Sequence, residues 1–195
     1  MKNMLMIAAS AVALMVPAAA SAQAVPAAVI AVVDLDKVTT DCTACKTASA
    51  ALRSKSTALQ NQAKSLSTPL ETEGKSIQAA IDALKGAEPD AALKARVQAF
   101  ETKRQSAAAT YQKGQEQLQR DQQYIQKQIG DKLGPIYSAV MQKRGANVLL
   151  EVGSTLATAQ SVDVTADVTA ALNVALPSIA TTAPVAPAQQ QPQGR

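Results

Sequence analysis

Between Lys46 and Lys143 the composition shifts to Ala, Gln, Lys, Glu and Ser, and the larger apolar residues recur at steps of three, four and seven. The first half carries Leu52, Leu59, Leu66, Leu70, Ile77, Ile81 and Leu84. The second carries Leu93, Val97, Phe100, Ala107, Tyr111, Leu118, Ile125, Ile129, Leu133, Ile136 and Val140. On a helix this spacing draws a narrow stripe, which suits the seam of a coiled coil and not the broad inner face of a globular helix. The residues between are for the most part strong helix formers. One interruption, Lys85-Gly86-Ala87-Glu88-Pro89-Asp90, supplies a Gly to end one helix and a Pro near the start of the next. Residues 46–143 therefore read as an antiparallel helical hairpin with its tip at about 85–90. A turn near Ala87 pairs residues whose numbers add to roughly 175, so Ile77 meets Val97 and Phe100, Leu59 meets Leu118, and Leu52 meets Tyr124 or Ile125. An arm of about 40 residues reaches on the order of 60 Å at about 1.5 Å per residue.

The flanks of this hairpin are short and more apolar. Within 23–45, Val29, Ile30, Val32 and Val33 put β-branched side chains on both faces of a strand, which Asp34-Leu35-Asp36 closes. Gly134-Pro135 is expected to break the returning helix, with Gly145 capping its short continuation. Within 144–180, Asn147 to Val152 and Thr155 to Ala159 read as two strands joined at Gly153-Ser154. A last helix starts near Asp163 or Thr165 with Val164, Val168, Ala171, Leu172 and Leu176 on one side. Residues 181–195, rich in Pro, Gln and Ala without periodicity, read as a disordered tail. The fold class is α+β, mostly α: a long coiled-coil arm on a small β head. Such a head buries too little apolar surface to stand alone, and its strand edges invite another chain. Val29, Val32, Val33, Leu149, Leu150 and Val152 are the candidate contacts of a self-associated head.

The first residues set the compartment. Lys2 and Asn3 precede an apolar run from Met4 to Val16, and Ala20-Ser21-Ala22 forms an A-x-A cleavage site, so residues 1–22 read as a signal peptide cleaved between Ala22 and Gln23. The run stops at Pro17, short of the roughly 18 to 20 apolar residues of a membrane span. The expectation is export without a transmembrane anchor.

Composition removes most chemistry from consideration. With no His, no Trp, one Phe and two Cys, the chain lacks the usual general base and cannot close a four-ligand N/S zinc site. No catalytic residue, metal or cofactor is expected. Cys42-Thr43-Ala44-Cys45 is open to three readings: a small structural disulfide, a free or intermolecular pair, or a thioredoxin-like redox site using Cys42 and Cys45. The first is favoured, because a redox dithiol sits between a strand and a helix of an α/β sheet, whereas this pair opens a coiled-coil arm. Haem attachment would need His at position 46, which is Lys46. Gly74-Lys75-Ser76 copies the end of a phosphate-binding loop, but Pro69 stands where that loop requires Gly. Pro69 and Gly74 instead loosen the outgoing helix.

Charge is segregated along the chain. Between Lys46 and Lys143, 15 basic and 9 acidic residues leave a net +6. The head, taken as Ala28 to Cys45 with Arg144 to Thr182, has 2 basic and 6 acidic residues, a net −4. Lys64, Lys75, Lys94, Arg96, Lys103 and Arg104 form the candidate basic contact surface of the arm. Nucleic acid is not the expected partner, since the chain is exported and no aromatic platform accompanies the lysines.

Three segments carry a family resemblance: Ile30-Ala31-Val32-Val33-Asp34, Asn147-Val148-Leu149-Leu150-Glu151-Val152 and Asp163-Val164-Thr165-Ala166-Asp167-Val168. With the signal peptide and the hairpin they make the chain resemble the Skp/OmpH periplasmic chaperones over roughly residues 28–178. The resemblance implies a homotrimer whose strands share a β-barrel-like body, with three arms enclosing a cavity. It also implies ATP-independent binding of unfolded outer-membrane proteins in the periplasm, with at most peripheral contact with the envelope. The C-x-x-C, Pro69 and the Pro/Gln-rich end depart from the family pattern. A spacer or adaptor of an envelope complex is the alternative from a different class, and a thiol-disulfide oxidoreductase the remote one.

Overall fold

The computed structural model describes residues 25–184. The proposed signal peptide and cleavage site, and residues 185–195, lie outside the described residues. Two long helices dominate: α2, Thr43–Ala83, and α3, Ala91–Arg144. They pack against each other as the antiparallel arm. Its register is the expected one. Glu73 pairs with Lys103, Ser76 with Arg96 and Lys55 with Asp121, each pair's numbers adding to within three of 175. Two glycines lie in the same register: a Cβ built on Gly74 would meet Phe100, and one on Gly114 would fall 2.5 Å from Leu59 Cδ1. At the tip the chain leaves α2 through Lys85 and Gly86, both at positive φ. It enters α3 at Asp90, whose carboxylate accepts from the Leu93 amide at 2.7 Å.

The head gathers the two ends of the arm. Strand β1, Ile30–Val33, runs parallel to β2, Val148–Glu151, with Val32 opposite Leu150. Asn147 extends the pairing: its side chain accepts from the Val29 amide and donates to the Ala27 carbonyl. After β1, Asp34 caps a short helix α1, Leu35–Asp41, and α2 follows after one residue, Cys42. Helix α4, Thr165–Ala175, closes over the other side. The core is formed by Ala31 and Val33 of β1, Val38 of α1, Cys42, Ala44 and Cys45 at the root of α2, Ile136 and Val140 of α3, and Val164, Val168, Leu172 and Leu176.

Four expectations are corrected. The chain does not run open from strand to arm: α1 intervenes, and α2 begins at Thr43, ahead of Lys46. Gly134-Pro135 does not break α3. Both residues are solvent-exposed, while Ile136, the next residue, and Val140, just over a turn on, are buried in the head core. Burial of these two at about 1.5–3 kcal/mol each offsets the roughly 3 kcal/mol cost of an interior proline. Thr155 to Ala159 is not a strand. Val152–Ser154 is a single 3₁₀ turn, and the residues beyond it pair with no strand among the described residues, leaving Leu156 fully exposed. Finally, residues 181–184, expected in the tail, are held against the arm. The chain after α4 is laid back along the arm as a strap, and Ala183 is buried.

Candidate functional site

The arm's seam is not apolar throughout. Leu52, Leu59 and Leu66 on α2 and Tyr111, Leu118 and Ile125 on α3 are spaced by heptads, and the seam positions between them are filled by Lys55, Gln62, Gly114 and Asp121. One such layer is a buried ion pair. Lys55 Nζ lies 2.5 Å from Asp121 Oδ2, and the Asp121 side chain is only 2% exposed. Gln117 donates to the other carboxylate oxygen at 2.7 Å. Burial alone would raise the Asp121 pKa, but Lys55, the Ala183 amide and the Gln117 amide together hold it below the usual carboxylate range.

The same polar groups hold the strap. Gln128 reads Ala180 twice, donating to its carbonyl at 2.9 Å and accepting from its amide at 3.0 Å. Lys55 Nζ donates to the Thr181 carbonyl and the Thr182 hydroxyl, and Asp121 Oδ1 accepts from the Ala183 amide at 2.8 Å. All but one of these bonds go to backbone, so the arm holds the strap chiefly through its main chain and not through particular side chains. None of these residues is among the candidates read from the sequence. The legible signal was a lysine and an aspartate at facing seam positions, where unpaired charges would be costly.

The basic surface residues are all exposed. Lys103 bridges to Glu73 at 2.8 Å across the two helices, Arg104 to Glu101 at 2.8 Å, and Lys94 to Glu88 at 3.8 Å. Arg96 donates to Ser76. Lys64 and Lys75 have no such partner among the described residues, and their separation by eleven residues places them on one face of α2. The structure therefore spreads these six cations along the arm and gathers no reaction centre from them. Among the described residues no group of three or more His, Cys, Asp or Glu could hold a metal ion, and no helix is long and apolar enough to cross a membrane.

Cys42 and Cys45 form a disulfide with Cα atoms 5.1 Å apart. Cys42 caps α2, its sulfur accepting from the Cys45 amide, and both residues are buried in the head core. Of the candidate head contacts, Val32 and Val33 are buried within the single chain and Leu149 packs against its core, while Val152 is half-buried. Val29 and Leu150 remain exposed, joined by Ile30 and Leu156. On the opposite flank Asp167, in the first turn of α4, binds Arg144 and Lys143 of the last turn of α3. These bonds hold its pKa low, Arg144 contributing most.

Fold and surface together define a class: a small α/β head bearing one long helical-hairpin arm, its polar groups disposed to hold an extended chain. The chain belongs to the OmpH-like family of outer membrane proteins, whose family model matches residues 29–172. Its fold is similar to the crystal structure of a candidate outer membrane chaperone (OmpH-like) from Caulobacter crescentus CB15. The two superpose with a TM-score of 0.68 at 18% identity, covering 86% of this chain and 96% of that one. No curated protein matches the sequence significantly.

Proposed function

We propose that this protein is an ATP-independent holdase of the periplasm that binds unfolded outer-membrane proteins and keeps them from aggregating. The observation that carries the reading is the arm. It is a long, exposed, net-basic surface with polar groups that engage the backbone of the strap, set on a head of the OmpH-like family. Such a surface offers many weak contacts to a chain with no fixed shape. Diluting a urea-unfolded outer-membrane β-barrel protein into buffer with the mature chain tests this. Suppressed light scattering and a soluble complex on sizing are expected, whereas unchanged aggregation at excess protein rejects the holdase.

The working form is a homotrimer in this reading. Val29, Ile30 and Leu150 expose apolar area on one small sheet, and Leu156 projects wholly into solvent, a pattern that favours burial against further copies. Burial of both cysteine sulfurs supports a staple at the root of the arm over a redox pair, since thiol–disulfide exchange requires a thiolate to reach a sulfur.

A further inference from the structure

The strap shows how the arm holds a polypeptide, and the same groove continues past the strap's end. Between Ala180 and Ala183 the strap advances from Gln128 to Asp121, seven residues along α3. That is about 10 Å of helix, matched by three extended residues at about 3.3 Å each. The strap thus runs toward the tip along the arm, with one bend at Thr182. A trough of about 450 Å³ opens at the Lys55–Asp121 layer, with Thr182 in its wall, and continues a further heptad in the same direction between Ala58, Leu59, Gln62, Gly114 and Leu118. This is within the size range of ligand clefts. Gly114 presents no side chain there, and Gln62 offers an amide like that of Gln128, able both to donate to and to accept from a passing backbone.

We propose that this trough holds an extended stretch of unfolded client polypeptide, laid along the arm as residues 180–183 are and gripped through its backbone by Gln62. The inference rests on the holdase reading and gives it one defined contact. The client, and not the chain's own continuation, is the occupant. Pro184, the next residue of the strap, is exposed where Ala183 is buried. The residues after it include Pro187, which like Pro184 has no amide hydrogen for Gln62 to bind. A client strand with small or alternating side chains has a donor and an acceptor at every residue.

A photo-crosslinking benzoylphenylalanine placed at Ala58, in the trough, and separately at the exposed Gln119 tests this in the full mature chain with an unfolded β-barrel protein. Several-fold more client adduct from position 58 is expected, and truncation after Pro184 should leave that yield unchanged or higher. Gln62→Ala keeps the helix, Ala being the better helix former, and should speed client release roughly two- to tenfold, as loss of hydrogen-bonded contact predicts. Equal adduct yields from positions 58 and 119, or adducts from position 58 only to residues 185–195, overturn the trough assignment. Aggregation suppression is scored in the same samples. If suppression is intact while the crosslink is absent, the trough fails alone. If suppression is absent in the wild type, the holdase reading fails with it.

Discussion

At Asp121 burial and bonding oppose each other, and bonding prevails. Because its pKa is lower folded than unfolded, this carboxylate contributes stability that is present above the unfolded value of about 3.9 and is lost as pH falls through the folded value. Acidification below about pH 4 should therefore release the strap before the helices melt, seen as loss of hydrogen-exchange protection at the Ala183 amide. Protection that is flat down to acid unfolding would show that Asp121 does not hold the strap. Asp121→Ala leaves Lys55 and the Ala183 amide without their partner and should cost about 1–3 kcal/mol at neutral pH. The disulfide makes a contrasting case. Replacing Cys42 and Cys45 together by Ala opens a four-residue loop and should cost about 2 kcal/mol by chain entropy, read as a lower Tm. Client protection should persist, and its loss together with insulin-reductase activity would favour the redox reading.

Among the elements, α2 carries an interior proline with no core to hold it. Pro69 is exposed, in a stretch where Ser106 and Ala107 offer little to pack against. Pro69→Ala restores one backbone bond and should stabilise the arm by about 1–3 kcal/mol, raising its melting midpoint by circular dichroism. An unchanged midpoint would mean the helix already accommodates the ring. The contrast with Pro135, whose neighbours are anchored in the head, explains why the expected break there failed: propensity is local, but Ile136 and Val140 answer to the core. What the sequence disclosed well was what repeats. Heptad spacing and one Gly-Pro interruption were enough to place the hairpin, its tip and its register. The strap was illegible because nothing in Ala180 to Ala183 repeats, and its partners are a lysine, an aspartate and a glutamine some 50 to 130 residues away. Helix α1 is hidden for a similar reason, since its single fully buried residue, Val38, gives no period. Thr155 to Ala159 has strand-like composition, but β-propensity reports fit to a neighbouring strand, and this segment pairs with neither β1 nor β2.

At the scale of the molecule, charge and assembly make the remaining predictions. Replacing Lys64, Lys75, Lys94, Arg96, Lys103 and Arg104 by Gln brings the arm from +6 to about neutral. The substitutions should slow client association by about tenfold or more at low salt, with wild type and variant converging near 1 M, where the Debye length is about 3 Å. Equal rates at low salt would make the basic arm mere soluble surface. For assembly, Leu150→Asp is the informative substitution, because Leu150 is exposed on the single chain whereas Val32 is buried within it. Sedimentation equilibrium should give a trimer for the mature chain and a dissociated, folded species for Leu150→Asp. A trimer that survives places the interface elsewhere. The parallel pairing of β1 with β2 also bears on the order in which the chain folds. These strands lie at opposite ends of the arm's sequence, and joining them across a flexible chain of about 110 residues costs about 4 kcal/mol in closure entropy. The hairpin removes most of that cost in advance, because its helices zip from a local turn and bring Ile30–Val33 and Val148–Glu151 together as a by-product. Nucleation therefore belongs at the tip, far from the core it serves, and substitutions around Asp90 should slow refolding more than comparable losses in the head.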